Sequence, residues 1–212
     1  MLKVERISVM NMENAIRGAR NPLNSWARMD SYYDEKGDFI LGENDLSLAT
    51  RLAKAGSDHR KYLRQILVCM DITAPLYWWK EFDTYKVGTV ANSTSTMHKI
   101  HAKEFSRDDF SCEKLTGRSV EVMDSVIEML EEERQRYLET KNKENWINMI
   151  QLLPSSYNQM RTVTLNYEVL INIYYARRTH KLTEWHTLCE EIKKLPYAEN
   201  LILIKDEANP AR

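Results

Sequence analysis

Apolar residues change their spacing several times along the chain, and each change marks an element. Val4, Ile7, Val9 and Met10 lie among charges over 3–12 and predict a first strand. Residues 15–26 are short of apolar positions, and Asn21-Pro22 breaks them. Over 32–42, the run Asp34-Glu35-Lys36-Gly37-Asp38 predicts an exposed loop or hairpin tip. Leu48 and Leu52 at i, i+4 predict a helix over 45–55, with Gly56 as its C-terminal stop.

Residues 61–73 predict the clearest strand. Ile66, Val68, Met70 and Ile72 alternate with Leu67, Cys69 and Asp71, so both faces are apolar in the middle and the strand belongs inside a sheet. Ala74-Pro75 ends it. Pro75 suits the first turn of a helix carrying Leu76, Trp78, Trp79, Phe82 and Tyr85. Residues 87–96 are small and polar with no helical period. A long amphipathic helix follows over 119–140, with Met123, Val126, Ile127, Leu130, Tyr137 and Leu138 as its apolar stripe. Helices are predicted over 144–153, stopping at Pro154, over 162–178 and over 183–195. The tail from Asn200 is a short apolar run followed by charge. No repeat or low-complexity linker interrupts the pattern, so 1–212 is taken as one domain.

Composition narrows the class. Apolar residues make up 43% and charged residues 29%, which is globular. Only 6 Gly and 5 Pro punctuate the chain, which favours long helices over a many-turned sandwich. A net charge of −1 gives no bulk attraction to nucleic acid or an anionic membrane. No apolar run reaches membrane-spanning length, and the charged start Met1-Leu2-Lys3-Val4-Glu5-Arg6 does not read as a signal peptide. Cys69, Cys112 and Cys189 stand apart, without metal-ligand spacing. They read as reduced thiols in a cytoplasmic setting, or simply as small buried hydrophobes. Most of the 5 Trp are expected in cores or subunit contacts.

No Gly-rich dinucleotide loop, phosphate loop or His-Glu-x-x-His metal set is present, so no metal is expected. Two stretches stand out. From Ala74 to His98, an aromatic helix delivers Lys80, Glu81 and Lys86 to a loop of hydroxyls and one amide. Such a loop suits phosphate or heterocycle binding, or else is a solvated loop capping its own turns. From Asn166 to His180, Asn166, Leu170, Ile173 and Arg177 are spaced to share a helix face, with Asn172 to the side. Two amides and an arginine fork can read a planar ligand; the alternative is a surface face with Arg177 at a helix C-terminus.

Together these stretches resemble the flavin-dependent thymidylate synthases. In that family a hydrophobic strand ends in Ala-Pro. An aromatic helix follows, then the signature Arg-His-Arg-x-x-Ser-x-Asn-x-x-Ser-x-Arg. This chain has Ala74-Pro75, then Thr84-Tyr85-Lys86, Thr89, and, after one extra residue, Asn92-x-x-Ser95-x-Met97. The family's second half is Leu-Pro, a helix with two Asn six apart, Arg five further on, then His and an Ala-Gln-Trp-Glu-Ile-like stretch. Here stand Leu153-Pro154, Asn166, Asn172, Arg177, His180, Trp185 and Glu190-Glu191-Ile192. The resemblance covers 61–192. It departs at Thr84, Tyr85 and Met97, where the signature has Arg or His, and at Glu168, where the family usually has Arg.

The resemblance implies an α+β fold, a central mainly antiparallel sheet packed with long helices. It implies FAD as cofactor and conversion of dUMP to dTMP with methylenetetrahydrofolate and reduced flavin, NADPH supplying the electrons, in a homotetramer. Carried over, Lys86, Thr89, Asn92, Asn166, Asn172 and His180 would bind the cofactor. Glu81, Ser95 and Arg177 would bind the substrate, with Ser95 and Arg177 as the catalytic pair. The departures leave two other readings open: a flavin or nucleotide binder of this fold that is inactive or acts on another substrate, and a protein that kept only the scaffold.

Overall fold

The computed structural model describes residues 1–204. In chain order the elements are β1 (Lys3–Met10), α1 (Met12–Ala19), β2 (Tyr32–Tyr33), β3 (Phe39–Ile40), α2 (Glu43–Lys54), β4 (Leu67–Pro75), α3 (Leu76–Phe82), β5 (Val90–Ser93), α4 (Arg118–Thr140), α5 (Lys143–Leu152), β6 (Asn158–Asn166), α6 (Tyr167–Arg177), α7 (Thr183–Lys193) and α8 (Ala198–Leu201). The class is α+β with an antiparallel sheet, as expected. The four-stranded sheet has the order β1-β4-β6-β5, so β4 is an interior strand. Val68, Met70, Ile72 and Ala74 are buried on one face of β4, while Leu67, Cys69, Asp71 and Thr73 are half-buried on the other. The predicted hairpin forms as β2 and β3, paired Tyr32 with Ile40 and Tyr33 with Phe39.

The contacts divide into two compact units, whose boundaries fall inside strands except the one between Thr84 and Tyr85. The first holds residues 1–3, 72–84 and 92–162. Its core joins Phe105, Phe110, Met123, Leu130 and Met149 under the hairpin of α4 and α5. The turn between these helices is short because Lys141 takes a left-handed conformation (φ 56°) and Asn142 caps α5, accepting from the Glu144 N–H. Glu133 is buried on α4, held by amides of Asn145 (2.7 Å) and Asn148 (3.2 Å) and by Arg136 (2.7 Å). The aromatic turn of α3 buries Trp78, Trp79 and Phe82, and the Trp79 indole donates to the Gln159 carbonyl at 2.9 Å.

The second unit holds 4–71, 85–91 and 163–212. Within it, α6 packs on α7 and on a 3-10 segment, Arg60–Gln65, that also touches α1 and α2. A buried acid organises the start of α2. Asp45 accepts from Arg20 Nε (2.6 Å), Ser31 Oγ (2.6 Å), and the backbone N–H groups of Asp30 (3.1 Å) and Ser31 (3.0 Å). Burial disfavours its charge, but the Ser31 and Arg20 bonds outweigh that and hold the carboxyl below its ordinary range.

Three expectations are corrected. Residues 61–65 are 3-10 rather than strand, because Tyr62 and Leu63, adjacent in sequence, are both buried, which a two-residue period does not allow. The segment 162–166 is the end of β6 rather than the start of a helix. Val163 and Leu165 alternate inward, and the helix begins only where Asn166 caps it. Tyr85 lies past the end of α3. The charged end of the tail, 205–212, lies outside the described residues.

Candidate functional site

Helix α6 shows one functional face. Ile171, Asn172, Tyr175 and Ala176 fall at i, i+1, i+4 and i+5, so they share a side of the helix. With Arg60, Tyr85 and Ile204 they line a groove of about 450 Å³ in the second unit. That volume lies in the range of small-molecule sites, and so does the lining: apolar walls, two phenol rings, one amide and one guanidinium. The Tyr175 hydroxyl donates to the Ile204 carbonyl, and burial pushes its phenol up, so it stays protonated as a donor.

Glu168 engages two arginines, one of which, Arg60, lines the groove. Glu168 bonds Arg64 through Nε and, at 3.4 Å, through Nη2; its other contact is an ion pair with Arg60 Nε at 3.6 Å. Arg60 and Glu168 are both buried, whereas the Arg64 side chain is 56% exposed. Glu168 therefore does not present an uncompensated negative charge to a ligand.

Arg177 does not line the groove. Its Nε donates to the Tyr85 hydroxyl at 2.9 Å, and its guanidinium lies over the rings of Tyr85 (5.6 Å) and Trp185 (4.7 Å). Tyr85 itself meets Trp185 edge-on at 6.1 Å. Arg177 thus fixes the phenol that forms the groove wall. His180 packs against the same Trp185 at 6.3 Å. Its Nδ1 accepts the Leu182 N–H at 3.1 Å, which leaves Nε2 to carry the proton in the neutral ring.

Asn166 is a cap. Its Oδ1 accepts the Val169 N–H at 3.1 Å. Its amide nitrogen closes on Gly88, where a Cβ would sit only 2.7 Å from Nδ2. Gly88 turns with φ 75°, and beside it the Thr89 hydroxyl is buried with no hydrogen bond to the described residues. Lys86 is exposed. In the first unit, Asn92 lies exposed on β5. Ser95 Oγ accepts the backbone N–H groups of Met97 (3.1 Å) and His98 (2.8 Å), so this loop does cap its own turn. Glu81 is half-buried near the end of α3, where its carbonyl accepts the Thr84 hydroxyl at 2.7 Å.

Of the residues singled out from sequence, Tyr85, Asn172, Arg177 and His180 thus gather in one cluster around the groove and Trp185, with Asn166 and Thr89 in the same unit. No family model matches the chain, and no curated protein matches it in sequence. Solved structures do match. Thymidylate synthase X (ThyX) from Helicobacter pylori, solved with FAD and dUMP, is 16% identical over 100% of both chains, with a TM-score of 0.71. The chain has the ThyX fold. A second structure of flavin-dependent ThyX from Helicobacter pylori, complexed with FAD and dUMP, gives a TM-score of 0.67 at 16% identity over 93% of this chain and 98% of the other. The UMP/dUMP methylase PolB from Streptomyces cacaoi, bound with 5-Br dUMP, gives 0.61 at 15% identity over 94% and 91%.

Within this ThyX fold, sequence reading missed Arg60 and Tyr175. Tyr175 was within reach: it lies three residues after Asn172, on the same helix face. Arg60 carried no signal, because its segment reads as the approach to a strand. Its partner Glu168 is 108 residues away.

Proposed function

We propose that this chain is a flavin-dependent, ThyX-like protein that binds FAD and a pyrimidine nucleotide, and that it methylates dUMP to dTMP with methylenetetrahydrofolate. The observation that carries the reading is the groove: an α+β chain matching ThyX structures along its whole length has, on α6, an amide and two phenols around an apolar slot with arginine at its wall. These residues fit a flavin ring. Ile171 and Ala176 offer apolar contact, Tyr85 a stacking face, and the exposed Asn172 amide pairs a donor with an acceptor for a heterocycle edge. When bound, a flavin supplies hydride transfer. The chain's part is to hold it. Arg177 keeps Tyr85 in place, Asn166 and Gly88 fix the turn that presents Thr89, and the Thr89 hydroxyl has an unused donor and acceptor for the ligand.

Glu81 and Ser95 are assigned to the nucleotide, and Lys86, Asn92 and His180 to the cofactor. The whole chain is taken to act as one cytoplasmic domain in a homotetramer with NADPH as reductant. Among the described residues no helix is long and apolar enough to cross a membrane. A second reading, a flavin or nucleotide binder that acts on another substrate or is inactive, is favoured by one observation: Met97 stands where the family signature closes with arginine, and it is 46% exposed rather than buried as a packing substitute.

The test is in two steps. The purified protein should be yellow, or take up FAD with oxidised-flavin absorbance. Its gene should rescue a thymidine-requiring bacterial strain, and Arg177→Ala should abolish that rescue. A colourless protein that takes up no FAD refutes the proposal. FAD binding without rescue selects the second reading.

A further inference from the structure

We propose that the groove on α6 is an aromatic clamp for a flat ring, and that Arg178 is a positioning residue that holds one of its two phenol walls, Tyr175. The inference deepens the flavin reading above and rests on it for the identity of the ring.

Two phenols line the groove, Tyr85 and Tyr175, and each is held by its own arginine. Arg177 bonds the Tyr85 hydroxyl and lies over that ring. Tyr175 is held separately and from three sides. The Arg178 guanidinium lies over its ring, 4.8 Å from the centroid. Tyr174 meets it edge-on at 5.4 Å, and its hydroxyl donates to the Ile204 carbonyl. Ile204 is itself fixed: it is 3% exposed and follows Leu201 and Ile202, both fully buried. Burial pushes the Tyr175 phenol up, and the nearby charge of Arg178 pulls against that push.

Helical geometry separates the two holds. Ile171, Tyr175, Asn172 and Ala176 follow one another around one side of α6, at about 100° per residue along the chain. On the same count Arg178 falls just beyond the Ile171 edge of that side, and Arg177 beyond the Ala176 edge. Two consecutive arginines therefore leave the helix on opposite edges of the groove floor, each toward a different phenol. Both phenol hydroxyls are engaged, so the rings present their faces to a ligand. A ring face favours another flat π system, and a wall that is already fixed loses little freedom when the ligand arrives. Arg178 is exposed, so its own burial gives it no structural reason to lie on Tyr175. The family resemblance assigns no role to Tyr175, Arg178 or Ile204.

Lumiflavin, the flavin ring without ribityl chain or phosphate, isolates recognition of the ring. Its dissociation constant should rise about 3–10-fold in Tyr175→Leu, which removes the wall. It should rise about 2–5-fold in Arg178→Ala, which removes the hold. Because Arg178 acts through the phenol, adding Arg178→Ala to Tyr175→Leu should change the affinity by less than about 1.5-fold. An arginine with a merely structural role would give additive losses. Arg178→Lys keeps a cation over the ring and should lose less than Arg178→Ala. Arg178 is an exposed residue at the end of α6, so that comparison stands even if Tyr175→Leu fails to fold.

The same loss from Arg178→Ala with and without the Tyr175 ring, no loss from Arg178→Ala, or equal losses from the Lys and Ala variants overturns the proposal. If the native protein binds no flavin, the functional reading above fails, and a flat ring that is not a flavin decides this inference separately. The probes are then 2-naphthamide and its fully reduced, non-planar decahydro form. A larger rise in thermal midpoint with the flat amide, cut in Arg178→Ala, sustains the clamp; any other result ends it.

Discussion

Replacing Gly88 with alanine adds one methyl group at a point where two constraints meet. The residue turns with φ 75°, in the left-handed region, where a side chain costs about 1–2 kcal/mol. The new Cβ would also lie 2.7 Å from Asn166 Nδ2 and 3.4 Å from a methyl of Val169. The first distance is too short to persist. The Asn166 side chain is short and is held by its bond to the Val169 N–H, so making room means giving up the cap of α6, worth about 1 kcal/mol. The sum is about 2–3 kcal/mol, or roughly 5–10 °C in thermal midpoint for a chain of this size. The two costs can be separated. In an Asn166→Ala background the clash is gone, so Gly88→Ala should then cost only the backbone share. A double-mutant cycle by chemical denaturation should show coupling of about 1 kcal/mol. Purely additive effects, or a loss below about 0.5 kcal/mol for Gly88→Ala, would refute the claim that this glycine exists to admit the Asn166 cap.

Asp45→Ala should destabilise by about 3–5 kcal/mol, because it strands the buried Arg20 and three further donors; a urea-unfolding loss under 1 kcal/mol would contradict that account. Glu131 makes stability pH-dependent in the first unit. Bonds from Arg134, then from the Phe105 N–H and Gln135, hold its carboxyl down at about 2, against an ordinary 4.5. A depressed carboxylate contributes fully above its unfolded pKa and loses that contribution as pH falls through the folded one. The window is therefore from about 4.5 down to about 2, and the amount, reduced for a side chain 22% exposed, is about 1–3 kcal/mol. Glu131→Gln should flatten the acid limb of a urea-midpoint profile, and an unchanged limb would exclude Glu131 as its source. Burial pushes the Cys189 thiol up to about 11, so it should resist iodoacetamide at pH 8 in the folded protein and react on unfolding; rapid native labelling at Cys189, read by peptide mass, would refute its burial.

Local pattern alone determined much of this chain. The long stripe from Met123 to Leu138 specified α4, and alternation specified most of β4. The Asp34–Asp38 cluster specified the hairpin, because each of these signals repeats over enough residues to outweigh its neighbours. Asn166, Asn172, Arg177 and His180 were also visible as a chemically unusual set. Their roles were not. Asn166 could be a ligand group or a helix cap, and only the fold shows its oxygen on the Val169 N–H. Arg177 reads as a ligand fork in sequence, yet in the structure it is turned onto Tyr85 and Trp185. The start of α6 was misjudged because two inward positions, Val163 and Leu165, are too few to separate a strand's end from a helix's beginning. The groove was decided by tertiary structure altogether. Arg60, Tyr85 and Asn172 come from three segments far apart in the chain, and no sequence period records that the 3-10 segment packs on α6 or that Glu168 answers two arginines there. Periodicity reports which face of one element is buried; which elements share that burial depends on the packing of the whole chain.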